Sequence, residues 1–215
     1  MKYGVLGTGD VACTIADKLI ELGHEVMIGS RTADNPRAVE WARKSGEQAF
    51  HGTFADAATF GERVFNCVKG VYSIKALTSA GKDNLAGKIL IDQSNPYLYE
   101  NRHISLDPRW SGNTSLGEAN QALLPDTKIV KTLNYLCSHL MTNPGQLSEA
   151  VTGFYCGNDK EAKAEVAKLL ADFGWTDTMD LGDISMSRYT EMLGAFWPAV
   201  YGQLRHMNWG FKLVR

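Results

Sequence analysis

Long apolar runs are missing from this chain of 215 residues. Its apolar stretches, such as YGVLG, EVMIG and KILID, are each only a few residues long, whereas a membrane-spanning helix needs ~18 or more consecutive apolar residues. The first residues also lack the long apolar segment and the small-residue cleavage site of a secretory signal. We therefore expect a cytoplasmic protein with no membrane segment.

Paired cysteines are missing as well. Cys13, Cys67, Cys137 and Cys156 are widely separated and form no CxxC motif. The sequence therefore predicts neither a metal site nor a disulfide framework. We expect four free thiols, as is usual for buried cysteines in a reducing compartment.

An excess of charge of one sign is also absent. The chain has 22 Lys and Arg residues against 24 Asp and Glu residues, a formal net charge of -2. No overall field attracts nucleic acid or an anionic membrane, so we expect neither as a partner. Any site for an anion must therefore be built locally.

Strand-like and helix-like segments alternate along most of the chain. The predicted strands lie at 2–6, 25–28, 63–68, 88–93 and 127–133, and the predicted helices at 11–22, 36–45 and 72–80. Such alternation favours a parallel sheet with right-handed crossovers and helices on both faces. We expect residues 1–145 to form an α/β domain with a doubly wound parallel sheet.

The pattern changes after residue 145. Residues 149–157 are predicted to be extended, and helices are predicted at 159–173 and 186–204. We expect residues 146–215 to form a small C-terminal domain for substrate binding or dimerisation. Its aromatic and apolar residues either pack in a core or dimer interface or line a pocket for a flat acceptor; they are Tyr189, Met192, Phe196, Trp197 and Trp209.

A glycine-rich turn joins the first predicted strand to the first predicted helix. Its sequence is Gly7-Thr8-Gly9-Asp10-Val11-Ala12, which matches the GxGxxG/A pattern of dinucleotide-binding folds. The first glycine permits the tight turn, and the second lets the backbone approach a pyrophosphate at the N-terminus of the helix. The sequence thus predicts a Rossmann domain with a nucleotide cofactor at residues 7–11.

The end of the second predicted strand bears on which cofactor is bound. NAD-selective folds place a carboxylate about 20 residues beyond the glycine pattern, where it would repel a 2′-phosphate. This chain has Ser30, Arg31 and Thr32 there, which offer a permanent positive charge and hydroxyl donors. The pattern favours NADP over NAD; in the alternative, Arg31 is a solvated charge and Glu25 binds the ribose. Arg37 is either a second phosphate contact or a charge on the helix surface.

Several motifs together resemble one family. They are GVLGTGDVA, GHEVMIGSRT, IDQSNP, IVKTLN, GNDKEAKAEVAKLLADFGW and LGDISMSRYTEML, and they resemble the F420-dependent NADP oxidoreductases over nearly the whole chain. The resemblance implies a Rossmann domain with a small C-terminal domain and a homodimer. It also implies hydride exchange between NADP(H) and a small-molecule electron acceptor, either the deazaflavin coenzyme F420 or a flavin.

The resemblance also implies positions for the cofactor. The cofactor-binding residues would be Gly7, Thr8, Gly9, Asp10, Val11, Ser30, Arg31, Thr32, Cys67, Val68, Lys69, Ser94, Asn95 and Pro96. Residues 134–136 would line the nicotinamide, and Asn134 and Leu136 are the candidate catalytic residues. An amide such as that of Asn134 can orient the nicotinamide carboxamide, although an asparagine that ends a strand is often only turn chemistry.

Two other functions stay open. One is reduction of a small imine or carbonyl compound, with Tyr135, His139 or Lys69 as a general acid. The other is a non-catalytic NADPH-binding sensor. Proximity of Cys137 to His139 in the sequence does not by itself predict a nucleophile.

Overall fold

The structure is a computed structural model that describes residues 1–100 and 103–215. Its strands are β1 (Lys2–Leu6), β2 (Glu25–Ser30), β3 (Ala49–Thr53), β4 (Arg63–Asn66), β5 (Ile89–Asp92), β6 (Tyr97–Glu100), β7 (His103–Leu106), β8 (Lys128–Thr132), β9 (Thr152–Gly157) and β10 (Asp177–Asp180). Its α-helices are α1 (Asp10–Glu21), α2 (Pro36–Ser45), α3 (Phe54–Phe60), α4 (Ser73–Ala80), α5 (Lys82–Leu85), α6 (Leu116–Leu123), α7 (Ser138–Thr142), α8 (Lys160–Asp172) and α9 (Ser187–Leu204). None of the described helices is both long enough and apolar enough to cross a membrane.

One large sheet organises the fold. Its strand order is β10-β9-β8-β5-β4-β1-β2-β3. From β8 to β3 every neighbouring pair is parallel, whereas β9 runs antiparallel to β8 and β10 runs parallel to β9. The chain winds from β1 towards β3 and then from β4 towards β8, so the predicted doubly wound α/β fold is confirmed. Ligands of such sheets bind at the carboxyl ends of strands beside this reversal.

The segment after residue 145 adds strands to the same sheet. β9 pairs with β8, and β10 pairs with β9, while α9 contacts α6 and β7 on the carboxyl side of the sheet. The division into 1–145 and 146–215 remains a prediction. The described residues show that a boundary there would fall between two hydrogen-bonded strands.

Side chains of successive strand residues alternate between two apolar clusters. Val5 and Phe65 belong to a cluster that includes the buried face of α1, whereas Leu6 and Val64 belong to a cluster that includes residues of α3 and α4. This two-residue period is expected of strands covered on both faces. Burial of both faces fixes the register of the sheet and therefore the positions of the loops that follow β1, β2, β4, β5 and β8.

Several elements were not predicted, among them α5, α6, α7, β10 and two larger parts of the fold. One is β3 with α3, which begins with a reciprocal capping box between Thr53 and Asp56. The other is the antiparallel hairpin of β6 and β7, in which Tyr97 pairs with Leu106. The hairpin follows β5 directly, so it lies beside the carboxyl edge of the sheet.

Candidate cofactor and active site

The predicted glycine-rich turn leaves an open space at the N-terminus of α1. Gly7 has φ +127°, its N–H donates to Gly29 O at 2.9 Å, and a Cβ there would lie 3.0 Å from Cys67 O. Side chains rarely adopt that φ, so the turn requires glycine at this position. Gly9 precedes α1 without a side-chain cap, and a Cβ on it would meet nothing within 4 Å. The first N–H groups of α1 therefore face space in which a pyrophosphate would fit.

The loop after β2 presents a free arginine. Ser30 is buried, and its Oγ donates to Thr32 O at 2.5 Å and accepts from Thr32 N at 3.2 Å. This local turn fixes the backbone on both sides of Arg31, whose exposed guanidinium has no hydrogen bond or ion pair within the described residues. Glu25, the alternative ribose ligand, lies at the other end of β2.

Arg37 joins this loop to the glycine-rich turn. Its Nη2 lies 2.8 Å from Oδ1 of Asp10, and the two side chains are 62% and 88% exposed. An ion pair so exposed contributes about 0–1 kcal/mol. Arg37 can therefore leave Asp10 for a phosphate at little cost.

A cavity of about 290 Å³ lies at the carboxyl ends of β4, β5 and β8. Of the predicted site residues it brings together Val11, Cys67, Val68, Lys69, Asn95, Asn134, Tyr135 and Leu136. The other predicted residues of the turn and of the β2 loop lie outside it; they are Gly7, Thr8, Gly9, Asp10, Ser30, Arg31, Thr32 and Arg37. Pro96 is buried and does not line the cavity, and its carbonyl accepts from Asp107 N at 2.7 Å. The predicted residues thus form two groups, joined at Val11, as an elongated dinucleotide would require.

Asn134 is held in one orientation at the cavity. Its Nδ2 donates to Asn95 Oδ1 at 2.8 Å, and Asn95 Nδ2 donates back to Asn134 O at 2.5 Å. The preceding residue, Leu133, is fully buried with φ 61°, a strained conformation of the kind found at functional sites. This kink directs the chain after β8 towards the cavity. Asn134 Oδ1 is left without a hydrogen-bond partner among the described residues.

Gln93 is a second oriented amide that the sequence analysis missed. The Cys67 thiol donates to Gln93 Oε1 at 3.3 Å, and Gln93 Nε2 has no partner in the described part of the chain. Burial, and to a smaller degree the charge of Asp92, raises the pKa of Cys67. The thiol therefore keeps its proton and acts as a donor.

Aromatic residues of the hairpin and of α9 cover the cavity. Tyr97 and Trp197 both line it, and Tyr97 OH and Trp197 Nε1 are buried without partners among the residues described. Burial raises the pKa of Tyr97, so its hydroxyl stays protonated. The Trp197 ring stacks on Tyr201 at 5.3 Å and on Trp209 at 5.7 Å between ring centroids. This stack holds the indole at the edge of the cavity.

A buried charge network supports the cavity from below. Lys131 Nζ lies 3.0 Å from Asp92 Oδ2 and 3.0 Å from Glu191 Oε1, and it donates to Ser94 O at 2.5 Å. Burial by itself lowers the pKa of Lys131, but the attraction and hydrogen bonds of the two carboxylates outweigh it, so the pKa lies above its usual value. The network joins β5 and β8 to α9, and through Ser94 it fixes the residue that precedes Asn95.

Each carboxylate of the network has further donors. Asp92 also accepts from side-chain amides of Asn66 at 2.9 Å and Asn120 at 3.1 Å. Glu191 accepts from the backbone N–H groups of Leu116 at 3.1 Å and Gly117 at 3.0 Å, at the start of α6. Buried charges that are satisfied in this way rigidify a structure. The only signal in the sequence is a lysine that directly follows two apolar residues within the strand KIVKT.

The other candidate acids and nucleophiles have structural partners. Nε2 of His139 faces both Cys137 Sγ, at 3.6 Å, and Asn208 Oδ1, at 2.7 Å, whereas a relay would need a different ring nitrogen for each partner. Tyr135 OH accepts from Phe154 N at 2.5 Å. Lys69 lines the cavity, with its Nζ 5.6 Å from the centroid of the Tyr99 ring. Of the three predicted general acids, Lys69 has the most open position.

The residues present fit a dinucleotide cofactor. Open space at Gly9 and the free guanidinium of Arg31 suit a pyrophosphate and a 2′-phosphate. Beyond Val11 the cavity is lined by Gln93 and Asn134, each with one amide atom that has no partner in the part of the chain that the structure describes. These are the hydrogen-bonding groups that a nicotinamide carboxamide needs.

Three comparisons with known proteins agree with this arrangement. A sequence profile of the family "NADP oxidoreductase coenzyme F420-dependent" matches residues 2–96. A crystal structure from Arthrobacter sp. FB24, described as an F420-dependent NADP reductase, is similar over 100% of both chains, with 42% identity and a TM-score of 0.95. The metalloreductase STEAP3 of Rattus norvegicus is 31% identical over 193 residues, which are 89% of this chain and 36% of that protein. The chain thus spans about a third of the length of the curated relatives it matches.

A more distant likeness shows the fold alone. A reductive aminase from Aspergillus terreus has 16% identity and a TM-score of 0.65, over 95% of this chain and 62% of the other. The Arthrobacter structure, by contrast, matches this chain over its full length at 42% identity, which is similar enough to show the family. On that match and on the family profile, the chain belongs to the coenzyme F420-dependent NADP oxidoreductases.

Proposed function

We propose that this protein transfers a hydride between NADP(H) and a deazaflavin, coenzyme F420, or a flavin-like acceptor. The observation that carries the proposal is the continuous arrangement of an open glycine-rich turn, a free Arg31 and a cavity with an oriented Asn134. Family membership supports the cofactor and the acceptor. Bound NADPH supplies two electrons and a proton as a hydride to the acceptor.

The residues of the chain would bind the cofactor, orient the nicotinamide and exclude water from the cavity. Arg31 receives the 2′-phosphate, with Ser30 fixing its loop, and the N-terminus of α1 receives the pyrophosphate. Asn134 orients the nicotinamide through the amide that Asn95 holds, and Leu136 contributes an apolar wall. Hydride transfer needs short range and correct orientation more than an acid or a nucleophile, which suits a cavity without a relay.

The acceptor would lie beneath the hairpin and α9. Tyr97 OH and Trp197 Nε1 belong to residues that line the cavity and have no partner within the described residues, and a ring carbonyl that gains negative charge during reduction could accept from them. At about 290 Å³ the cavity is small for a ligand pocket, since such pockets usually measure about 300–1,000 Å³. We infer that it encloses the reacting rings and leaves the remainder of the acceptor outside.

A homodimer and a cytoplasmic location belong to the same proposal. Tyr189, Met192 and Phe196 are 58%, 43% and 53% exposed, and their spacing puts them on one face of α9. An exposed apolar face of this kind is typical of an interface, and it adjoins Trp197 at the cavity. All four cysteines are free thiols, which agrees with a reducing compartment.

Reduction of a small imine or carbonyl compound is the second candidate. Lys69 favours it, because this lysine lines the cavity and could donate a proton. A sensor without turnover is the third candidate, and an NADPH complex that reduces no acceptor would favour it.

The test is anaerobic oxidation of NADPH by the purified protein with oxidised coenzyme F420. FMN, FAD and a small cyclic imine serve as parallel acceptors, and NADH serves as the donor control. We expect fast, NADPH-specific reduction of the deazaflavin. Faster reduction of the imine, with loss in Lys69→Met, would move the assignment to the second candidate.

A further inference from the structure

Two buried amides that line the cavity have complementary atoms without a partner among the described residues. Gln93 is 6% exposed and Asn134 is 3% exposed, and both line the cavity. Within residues 1–100 and 103–215, the atom of Gln93 without a partner is the donor Nε2, and that of Asn134 is the acceptor Oδ1. A buried amide end without a partner is unfavourable because it has lost its hydrogen bonds to water, so these two ends indicate a ligand that satisfies both.

A hydrogen bond with a neighbouring residue fixes the orientation of each amide. Asn95 accepts from Asn134 Nδ2 at 2.8 Å, so Asn134 Oδ1 is the end that remains free. Cys67 donates to Gln93 Oε1 at 3.3 Å, so Gln93 Nε2 is the end that remains free. The raised pKa of Cys67 keeps the thiol proton on which the second orientation depends.

We propose that Gln93 and Asn134 bind the nicotinamide carboxamide at two points. Gln93 Nε2 donates to the carboxamide oxygen, and Asn134 Oδ1 accepts from the carboxamide NH₂. Cys67 is a positioning residue that acts through Gln93 and does not need to touch the cofactor. This assignment rests on the proposed function only in that NADP(H) occupies the site.

The test compares three ligands that differ at the carboxamide. NADP⁺ has the complete group, the 3-acetylpyridine analogue of NADP⁺ keeps the carbonyl and replaces NH₂ by methyl, and 2′,5′-ADP lacks the nicotinamide. Dissociation constants are measured by calorimetry for the wild type, Gln93→Met and Asn134→Leu. Gln48→Met is the matched control, because Gln48 is exposed and its Nε2 bonds Gly23 O.

Each contact predicts a different pattern. Gln93→Met should weaken NADP⁺ and the acetylpyridine analogue equally, by about tenfold, because both keep the carbonyl. Asn134→Leu should remove the preference of the wild type for NADP⁺ over the analogue. Neither variant should change the affinity for 2′,5′-ADP, and Gln48→Met should change none of the three affinities.

Two results would overturn the assignment. One is an unchanged affinity of Gln93→Met for NADP⁺ while the wild type binds NADP⁺ well. The other is a Gln93→Met variant that loses the preference for NADP⁺ over the analogue, since Gln93 would then contact NH₂. If the wild type binds neither NADP⁺ nor 2′,5′-ADP, the proposed function itself fails, which is a separate outcome.

Variants of Cys67 provide a second test of the assignment, in case Gln93→Met misfolds and loses 2′,5′-ADP binding. Cys67→Ala should weaken NADP⁺ several-fold and leave 2′,5′-ADP unchanged, and Cys67→Ser should restore part of the loss because its hydroxyl still donates to Gln93. Equal NADP⁺ affinity in Cys67→Ala and the wild type would contradict the positioning role.

Discussion

Asn134 and Asn95 hold each other through two hydrogen bonds, from Asn134 Nδ2 to Asn95 Oδ1 at 2.8 Å and from Asn95 Nδ2 to Asn134 O at 2.5 Å. The pair sets the direction of the free Oδ1 of Asn134 at the cavity. Asn95 in turn follows Ser94, whose carbonyl accepts from Lys131. The position of one amide therefore depends on contacts from β5, β8 and the loops after them.

Replacement of Asn95 should damage hydride transfer more than cofactor affinity. Asn95→Ala frees the Asn134 side chain, and a misplacement of about 1 Å can cost 10²-fold in rate. We expect single-turnover reduction of coenzyme F420 by NADPH to slow by about 10- to 100-fold. Binding of 2′,5′-ADP by Asn95→Ala should stay at the wild-type value. Asn113 is exposed, so the control variant Asn113→Ala should keep the wild-type rate. A normal rate in Asn95→Ala would show that Asn134 needs no support.

Gly194 of α9 lines the cavity and packs tightly against other lining residues. A Cβ there would lie 1.9 Å from Tyr97 OH and 2.9 Å from Asn134 O. Gly194→Ala should therefore displace Tyr97, lower the free energy of unfolding by about 1–3 kcal/mol and reduce turnover. Gly202→Ala in the same helix meets nothing within 4 Å, and it should be neutral or stabilising by up to about 1 kcal/mol. Urea unfolding of both variants tests this contrast, and equal effects would argue against close packing at Gly194.

Loss of Lys131 should leave two buried carboxylates without their shared cation. Breaking a buried ion pair on one side costs about 3–5 kcal/mol, so we expect a loss of that size in Lys131→Met at pH 7.5. The exposed Lys160 provides the control, since Lys160→Met should stay within about 0.5 kcal/mol of the wild type.

The deficit of Lys131→Met should shrink as the pH falls. Burial raises the pKa of Glu191 in the folded protein, and Lys131 opposes that rise. In Lys131→Met the folded-state pKa of Glu191 should therefore lie still further above its unfolded-state value. Such a group stabilises the fold at low pH and loses that contribution as the pH rises through its folded pKa. Unfolding curves at pH 5 and pH 7.5 measure the change. A deficit that grows towards pH 5 would contradict it.

Local chemistry made part of this site predictable. Gly7 needs its positive φ and Gly9 leaves open space before α1, and both features depend on a few neighbouring residues, so the motif alone indicates the turn. The position of Arg31 could be predicted because it follows directly after a strand in the same unit, whereas its role in phosphate binding remains a prediction. The capping box of Thr53 and Asp56 is a local signal of the same kind, and its sequence, TFAD, would have allowed prediction of α3.

The remaining residues depend on distant segments. Gln93 is oriented by Cys67 from the neighbouring strand, and Lys131 is neutralised in part by Glu191 from α9. Neither arrangement leaves a periodic pattern in the sequence, since burial of a polar side chain is decided by tertiary contacts. Tyr97 was missed for a related reason: the hairpin of β6 and β7 stands apart from the alternating strands and helices on which the prediction was based.

Measuring the preference of the protein for NADPH over NADH, and how that preference depends on Arg31, tests the proposed cofactor site most directly. Dissociation constants of both nucleotides are measured for the wild type, for Arg31→Glu and for Arg43→Glu, which makes the same change of charge at the far end of α2. A charge-assisted hydrogen bond contributes about 1.5–3 kcal/mol. We therefore expect Arg31→Glu to weaken NADPH by about 100-fold, to change NADH by less than about threefold, and to differ clearly from Arg43→Glu. Equal losses for NADPH and NADH in Arg31→Glu would contradict the assignment of this loop to the 2′-phosphate.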